Sequence, residues 1–224
     1  MSWVQAVFLD FDGIILESVE IKTLAFRRIF ENYPPYADQI VSYHLANGGL
    51  PRFDKFRYIY QNILKEPLSN EKFEALCRQF SDLVTEQVIR CDFVGGAKLF
   101  LEKYHSVFPL FIISGTPQDE IVQIAHAKKI AHYFKGIFGS PPLKGYWTKK
   151  ILSDYHFDSQ RVFWVGDALS DWQAAQEFGI KFVARTIPGQ NTFLNKNVYS
   201  RIKDLFDLDA FLTKIEAHQE QKIK

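Results

Sequence analysis

Short apolar runs alternate with amphipathic segments along much of the chain, and their order predicts its secondary structure. The apolar runs have the length and composition of strands that are buried in a parallel sheet. We expect five such strands, at residues 4–9, 110–113, 136–138, 162–165 and 181–184, the last of them being the final strand of the sheet.

The segment between the first two strands has a different pattern. Its apolar residues recur three and four positions apart, which indicates amphipathic helices. We expect one helix capped by Ser18 with Leu24 on its inner face, a second around residues 56–64, and a third capped by Asn70. Residues 17–91 contain no strand-like stretch, so this segment is expected to be entirely helical.

Strands and helices alternate again after the glycine pair at 95–96, which looks like a hinge. One helix is expected to start at Pro117 and another to span residues 147–155. A third is expected to open with a capping box formed by Ser170 and Gln173. This alternation is typical of βαβ units and a parallel sheet.

The predicted fold class is therefore α/β, a Rossmann-like parallel sheet core with an all-helical cap domain inserted after the first strand. The core domain is expected to comprise residues 1–16 and 92–224, and the cap domain residues 17–91. In an open parallel sheet the ligand site lies outside the carboxyl ends of the strands. Reactive groups are expected at that edge, beneath the cap.

Composition and charge narrow the possible partners. The chain has 224 residues, 47% of them hydrophobic, which is enough for one large core and a smaller appended domain. A formal net charge of +1 gives no reason to expect nucleic acid or a membrane as partner. No transmembrane-length run and no signal peptide is visible. Cys77 and Cys91 match no metal-binding spacing. Because the chain has only these two cysteines, we expect a reducing, cytoplasmic location.

The first predicted strand runs into Asp10-Phe11-Asp12-Gly13, which places two carboxylates one residue apart at the edge of the sheet. Like charges this close raise each other's pKa unless a cation neutralises them. Mg²⁺ is the expected neutraliser, because it prefers oxygen ligands. For this tetrapeptide alone a surface turn is the alternative interpretation, since Asp and Gly are common in turns.

Polar groups follow three other predicted strands. Ser114 and Gly115 follow the second strand, and Lys144 lies in the loop after the third. Asp167 follows the fourth strand, with Asp171 four residues later. Because the carboxyl ends of parallel strands share one edge, these groups are expected to converge with the carboxylates of the first strand.

This ordered set of motifs resembles the haloacid dehalogenase (HAD) superfamily, in its phosphatase branch. The motifs are DFDG at 10–13, SG at 114–115, Lys144, and GDALSD at 166–171. The resemblance covers nearly the whole chain and extends to β-phosphoglucomutase-like and phosphoglycolate phosphatase-like members with a helical cap. Each motif alone is a weak signal, whereas all four in order are specific. Glu17 stands where many members carry Asp.

The resemblance implies that Asp10 is a nucleophile, which forms an aspartyl-phosphate. Asp12 is implied to protonate the leaving oxygen and then to activate water. Mg²⁺ would be bound by Asp10, Asp167 and the backbone carbonyl of Asp12. Dehalogenases of the superfamily lack the second Asp, so Asp12 favours phosphoryl chemistry. Asp171 is implied to support this site through water or through Lys144, and an ordinary first-turn helix acid is its alternative interpretation.

Phosphate binding is implied for the second and third motifs. Ser114 and the backbone N–H groups near Gly115 would bind phosphate oxygens. Lys144 would stabilise the charge on the transferring phosphoryl group. Lys149 and Lys150 compete for that role, but both fall on predicted helix positions.

The predicted cap also offers basic residues beside a Gly-Gly turn. Arg52 is the first candidate for substrate contact, because its segment looks like the cap loop of β-phosphoglucomutase-like members, in which an Arg reaches the substrate. Its planar fork suits a phosphate or a carboxylate. Lys55 is the second candidate, and a solvated helix start is the alternative interpretation for both. His44 receives no role, because a lone His is more often structural.

The leading hypothesis is a Mg²⁺-dependent phosphatase that acts on a small phosphorylated metabolite, such as a sugar phosphate or a phosphoglycolate-like ester. A phosphomutase of the β-phosphoglucomutase type is an open alternative, because it uses the same aspartyl-phosphate chemistry. A phosphorylated signalling switch is less favoured, because receiver domains are about half this length and have no cap. A catalytically silent binding module would lack one member of the motif set, and none is missing. Substrate identity and oligomeric state are not predicted.

Overall fold

A computed structural model describes residues 2–187 and 192–223 of the chain, and a parallel β-sheet forms its centre. The six strands of the described residues stand in the order β3-β2-β1-β4-β5-β6. Their bounds are β1 Ala6–Leu9, β2 Leu110–Pro117, β3 Gly136–Ser140, β4 Val162–Gly166, β5 Lys181–Arg185 and β6 Ser200–Ile202. The predicted α/β class and parallel sheet are confirmed.

Helices cover both faces of this sheet. The α-helices of the described residues are α1 Val19–Ile29, α2 Ala37–Ala46, α3 Arg52–Tyr58, α4 Asn70–Arg90, α5 Ala97–Tyr104, α6 Gln118–Ala127, α7 Lys144–Tyr155, α8 Leu169–Glu177 and α9 Leu205–Ile223. A π-helical turn at Ile59–Leu64 continues α3. No helix in the described part of the chain is both long and apolar enough to cross a bilayer.

The two faces of the sheet bury separate hydrophobic cores. Side chains alternate along β1, so Val7 and Leu9 enter one core while Ala6 and Phe8 enter the other. The first core is covered by α5, α6, α9 and the helices inserted between β1 and β2. The second is covered by α7 and α8. Because β1 pairs with β2 on one side and β4 on the other, its carboxyl end lies at the middle of the sheet edge.

The segment between β1 and β2 is helical, as its periodicity predicts, but several details differ. Residues 37–46 form α2, which the apolar pattern did not indicate. Leu24 is exposed, and Phe26 takes the buried position in α1. Ser69, rather than Asn70, caps α4 by accepting a hydrogen bond from the Lys72 backbone. The division into a core domain and a cap domain stays a prediction.

Differences from prediction in the remainder of the chain concern element ends. Strand β6 was missed, because three residues that include a Ser and an Arg carry no apolar run. Helix α5 starts directly after Gly96, whose positive φ of 77° makes it a helix cap rather than a free hinge. Helix α7 starts at Lys144 rather than at Trp147, so Lys144 lies on a helix and not in a loop. The first turn of α8 is closed by Asp171, not by a Ser170–Gln173 box, since its carboxylate accepts the Ala168 N–H.

Phe8 is the residue on which we expect the second core to depend most strongly. Its ring is fully buried at the centre of the sheet and makes edge-to-face contacts with Phe111 and Trp164, at centroid distances of 5.5 and 5.7 Å. Phe8→Ala should lower the free energy of unfolding by about 3–5 kcal/mol in urea denaturation, because a large cavity would remain. Leu99→Ala, at a position 61% exposed, is the control and should change it by less than about 0.5 kcal/mol. Similar losses in both variants would contradict this assignment.

Candidate active site

Three carboxyl groups meet at the carboxyl edge of the sheet. Asp10 follows β1, Asp167 follows β4, and Asp171 lies in the first turn of α8. One oxygen from each lies within 4.8 Å of the others. The predicted convergence of Asp10 and Asp167 is therefore present in the structure, and Asp171 joins them directly.

Lys144 lies between two of these carboxylates. Its Nζ is 2.8 Å from Asp10 Oδ2 and 2.6 Å from Asp171 Oδ1, and its side chain is almost fully buried. Lys149 and Lys150 are exposed on the same helix, and Lys150 pairs with Asp154 at the surface. The structure thus brings Lys144, and not its two competitors, into the acidic cluster.

The cluster carries more negative than positive charge. Burial, reinforced by repulsion from Asp171, raises the pKa of Asp10 well above its ordinary value. The same two causes raise the pKa of Asp167 to about 7. Although burial alone would lower it, attraction to Asp10 and Asp171 raises the pKa of Lys144 above its ordinary value. A site with this imbalance and this donor set suits a cation that prefers oxygen ligands.

The side chain of Asp12 has different surroundings from those of Asp10. Its Oδ1 accepts a 2.6 Å hydrogen bond from Ser18, its Oδ2 accepts one of 3.1 Å from Thr116, and it forms an ion pair with Lys22. Although burial alone would raise it, the Lys22 ammonium and these hydrogen bonds hold the pKa of Asp12 below its ordinary value. Asp12 is therefore an ionised carboxylate beside the acidic cluster. The contribution of its backbone carbonyl to a metal site stays a prediction.

Lys22 and Thr116 are site residues to which the sequence analysis assigns no role. Lys22 lies one helical turn from both Val19 and Phe26, and all three line the same cavity. A cation inside an otherwise apolar helical stripe is the signal that could have indicated it. Thr116 follows the Ser114-Gly115 pair on β2, so its position at the strand end was the available signal.

The turn after β1 leaves room for Asp167. Gly13 has a positive φ of 74°, and a Cβ there would lie 2.1 Å from Asp167 Oδ2, so a side chain would displace the carboxylate. Arg185, at the end of β5, donates a 2.7 Å hydrogen bond to the Gly13 carbonyl and pairs with Glu17 at 2.6 Å. Strand β5, which is separated from β1 by β4 in the sheet, thereby helps to hold this turn in place.

The second motif contacts the helical segment. Ser114 is buried and its Oγ accepts a 3.1 Å hydrogen bond from the Thr116 N–H. A Cβ on Gly115 would lie 2.4 Å from the Gly49 carbonyl, so the Gly-Gly loop packs directly on this strand end. Ser170 also donates a 3.2 Å hydrogen bond to the Gly48 carbonyl. The loop therefore covers the strand ends.

A cavity of about 310 Å³ lies between this loop and the sheet edge. It contains the carboxylates of Asp10, Asp12 and Asp167 together with Gly115 and Thr116. Ser114 and Lys144 line an adjoining cavity, which shares Gly49, Leu50 and Gly115 with the first. Apolar side chains from the helical segment also line the first cavity, and these are Val19, Phe26, Leu45, Ala46, Leu50 and Phe80.

The two cap candidates, Arg52 and Lys55, both reach the first cavity but differ in their partners. Arg52 pairs with Glu120 of α6 at 2.6 Å and donates to Ser81 of α4 at 2.8 Å. Nothing in the sequence indicated that Glu120 would pair with Arg52, because Glu120 simply precedes the apolar stripe of α6. Lys55 contacts His44, with its Nζ 3.1 Å from His44 Nδ1. A substrate contact by Arg52 stays a prediction, and its guanidinium group already has a counterion.

The family model described as haloacid dehalogenase-like hydrolase matches residues 7–185. No curated protein matches the chain. Among solved structures, a haloacid dehalogenase-like hydrolase of Streptococcus pneumoniae is 21% identical with a TM-score of 0.71, over 94% of this chain and 99% of that one.

Two further solved structures are similar at the same level. A predicted phosphoglycolate phosphatase from Haemophilus somnus 129PT is 17% identical with a TM-score of 0.72, over 94% of this chain and 99% of that one. A HAD-hydrolase from Bacillus subtilis, YfnB, whose structure is described as bound to magnesium, is 17% identical with a TM-score of 0.69 over the same shares. At these identities the three structures establish the fold only.

The Arg52–Glu120 ion pair gives a stability test of the contact between α3 and α6. Both side chains are at least nine-tenths buried, so removal of one partner would leave an uncompensated charge. Glu120→Ala should lower the free energy of unfolding by about 3 kcal/mol in urea denaturation. Glu74→Ala, which breaks the exposed pair with Arg78, should lower it by less than about 0.5 kcal/mol. An equally small loss for Glu120→Ala would show that the buried pair is not structurally important.

Proposed function

The chain belongs to the family of haloacid dehalogenase-like hydrolases, and from that membership we propose that it is a Mg²⁺-dependent phosphatase acting on a small phosphorylated metabolite. The observation that carries the proposal is the position of Asp10, whose carboxylate lies close to those of Asp167 and Asp171 and contacts Lys144. Asp12, two residues later, presents a second carboxylate to the same cavity. These groups supply a nucleophile, a positive charge and an acid–base residue.

Asp10 is the proposed nucleophile. One of its carboxylate oxygens attacks phosphorus, the new O–P bond forms, and the bond from phosphorus to the ester oxygen breaks. The proposed role of Lys144, whose Nζ is 2.8 Å from this carboxylate, is to balance the negative charge of the phosphoryl group during transfer. The ion pair with Asp171 holds the ammonium group in position.

Asp12 is the proposed acid and base. The negative charge of an arriving phosphoryl group raises the pKa of the nearby Asp12 carboxyl, which favours the protonated form that donates to the leaving oxygen. Once ionised again beside Lys22, Asp12 accepts a proton from water. That water attacks phosphorus, the bond to Asp10 breaks, and phosphate is released. A base in the same cavity as Asp10 favours rapid hydrolysis of the aspartyl-phosphate, which disfavours a signalling switch with a long-lived phosphorylated state.

The donor set fits a bound Mg²⁺. Asp10 and Asp167 are the proposed carboxylate ligands, the backbone carbonyl of Asp12 is a proposed third ligand, and Asp171 would support the cluster from α8. Burial and repulsion from Asp171 raise the pKa values of Asp10 and Asp167, and a bound cation would favour their ionised forms. When bound, the ion would neutralise negative charge on the phosphoryl oxygens. The magnesium described for YfnB supports the same choice of metal.

The proposed substrate is small. A cavity of about 310 Å³, covered by the Gly48-Gly49 loop, has room for a compact phosphate ester rather than for a polymer. The name of the Haemophilus somnus structure supports phosphoglycolate-like esters, and sugar phosphates are the second class. Ser114 and the backbone near Gly115 are the proposed contacts of the phosphate oxygens.

Asp10→Asn tests the nucleophile. The amide oxygen is a poor nucleophile, so phosphate release from a panel of phosphorylated metabolites with Mg²⁺ should fall by at least about 10³-fold. Asp154→Asn makes the same chemical change on the exposed face of α7 and should retain full activity. Retained turnover in Asp10→Asn would refute the assignment. Return of the phosphoryl group from Asp10 to a sugar monophosphate, which forms a bisphosphorylated sugar, instead of release as phosphate, would identify a mutase.

Metal binding can be measured without turnover. A ligand that binds only the folded state raises Tm, so Mg²⁺ added to EDTA-treated protein should raise the Tm of wild type. Asp167→Asn should lose most of that increase, because one carboxylate of the donor set is removed. Asp154→Asn should show the wild-type increase. An unchanged Mg²⁺ response in Asp167→Asn would remove this residue from the proposed metal site.

A further inference from the structure

The cations that line the 310 Å³ cavity are not equally neutralised. Lys22 pairs with Asp12, and Arg52 pairs with Glu120. Lys55 is the exception, since it has no carboxylate partner among residues 2–187 and 192–223. A buried ammonium without a counterion is unfavourable, and its presence in a cavity wall is informative for that reason.

The immediate neighbours of Lys55 are uncharged. Its Nζ lies 3.1 Å from His44 Nδ1, 3.3 Å from the His44 carbonyl, and 5.6 Å from the ring centroid of Phe26. Burial, with a smaller effect from Lys55, lowers the pKa of His44 to about 2, so the imidazole is neutral and Nδ1 acts as an acceptor. His44 also packs on Phe26 with ring centroids 4.3 Å apart, which holds the imidazole in place.

The electrostatic surroundings of Lys55 also disfavour its charged form. Burial, followed by repulsion from Lys22, lowers the pKa of Lys55 to about 7. Asp12 acts in the opposite direction, but its carboxylate is already engaged by Lys22. An additional anion beside Nζ would favour the charged ammonium form and supply the counterion that the protein does not provide.

We propose that Lys55 binds a second anionic group of the substrate, a carboxylate or a second phosphate that is separate from the phosphoryl group transferred to Asp10. This inference rests on the proposed phosphatase function and narrows its substrate class. Lys55 and Asp10 line one cavity, so a small molecule can reach both. Arg52 is the less suitable anion ligand, because Glu120 already occupies its guanidinium group at 2.6 Å.

Lys55 also has a structural contact, and the test must separate it from substrate binding. Its hydrogen bond to the His44 carbonyl satisfies an acceptor near the C-terminal end of α2. Loss of that contact would affect every substrate alike. Loss of an anion ligand would affect only those substrates that carry the second charge. The informative quantity is therefore a ratio of kcat/KM values rather than activity itself.

The experiment compares three esters of the same three-carbon size. Glycerol 3-phosphate carries one phosphate, 3-phosphoglycerate adds a carboxylate, and glycerol 1,3-bisphosphate adds a second phosphate. Wild type should prefer at least one of the doubly anionic esters by about tenfold or more in kcat/KM. Preference for the carboxylate or for the bisphosphate identifies which anion is bound. Since this comparison needs only wild-type protein, it remains valid if a variant fails to fold.

Lys55→Met removes the charge and keeps most of the side-chain length. It should reduce kcat/KM for the preferred ester by about 10²-fold, mainly through KM, and change glycerol 3-phosphate by less than about threefold. Lys55→Arg keeps a positive charge and should therefore retain part of the wild-type preference for the doubly anionic ester. Lys98→Met, at an exposed position on α5, is the matched control and should behave as wild type.

The outcomes separate this inference from the function on which it rests. Phosphate release from all three esters without a preference, or an equal loss for all three in Lys55→Met, would overturn the role of Lys55 and leave the phosphatase proposal standing. Mg²⁺-supported release from no ester of the metabolite panel, or equal release by wild type and Asp10→Asn, would overturn the phosphatase proposal itself.

Discussion

Three carboxyl groups meet beside a single ammonium group at the edge of the sheet, and the surrounding contacts must hold these like charges together. Asp10, Asp167 and Asp171 come from three separate parts of the chain, and Lys144 contacts two of them. Each is placed by a strand end or by the first turn of a helix, so none depends on a long flexible loop. Water cannot relieve the repulsion, because the groups are largely buried, and this is why the pKa values of Asp10 and Asp167 are raised.

The charge pairs that surround this cluster join the helical segment to the sheet. Lys22 of α1 pairs with Asp12 after β1, and Arg52 of α3 pairs with Glu120 of α6. The Gly48-Gly49 loop contributes close backbone contacts, because a Cβ on Gly49 would lie 2.2 Å from Ser170 Oγ. These contacts place the helical segment over the strand ends and bound the cavity from above. The helical segment and the site beneath it are therefore connected by ion pairs and by close backbone contacts.

Pairing also distinguishes residues that look alike in sequence. Arg52 and Lys55 are three positions apart on the same helix and both reach the cavity. One has a buried carboxylate beside it, and the other has only a neutral imidazole and a carbonyl. The same reasoning separates Asp10 from Asp12, because Asp12 has its own cation and hydrogen-bond donors whereas Asp10 shares Lys144 with Asp171. Chemical type alone does not assign a role to a charged side chain. The presence or absence of a counterion also determines which role the side chain can take.

The sequence by itself determined the α/β class, the helical character of the segment after β1, and the convergence of Asp10, Asp167 and Lys144. These follow from local periodicity and from one general property of parallel sheets, that their strand ends share an edge. Only the tertiary structure decided that Lys22 lies against Asp12, that Glu120 neutralises Arg52, and that β6 completes the sheet. Arg52 and Glu120 are 68 residues apart, and no local pattern records which charges meet across such a separation. Partner choice is decided by packing, because ion pairs form between whichever side chains the folded backbone brings within reach.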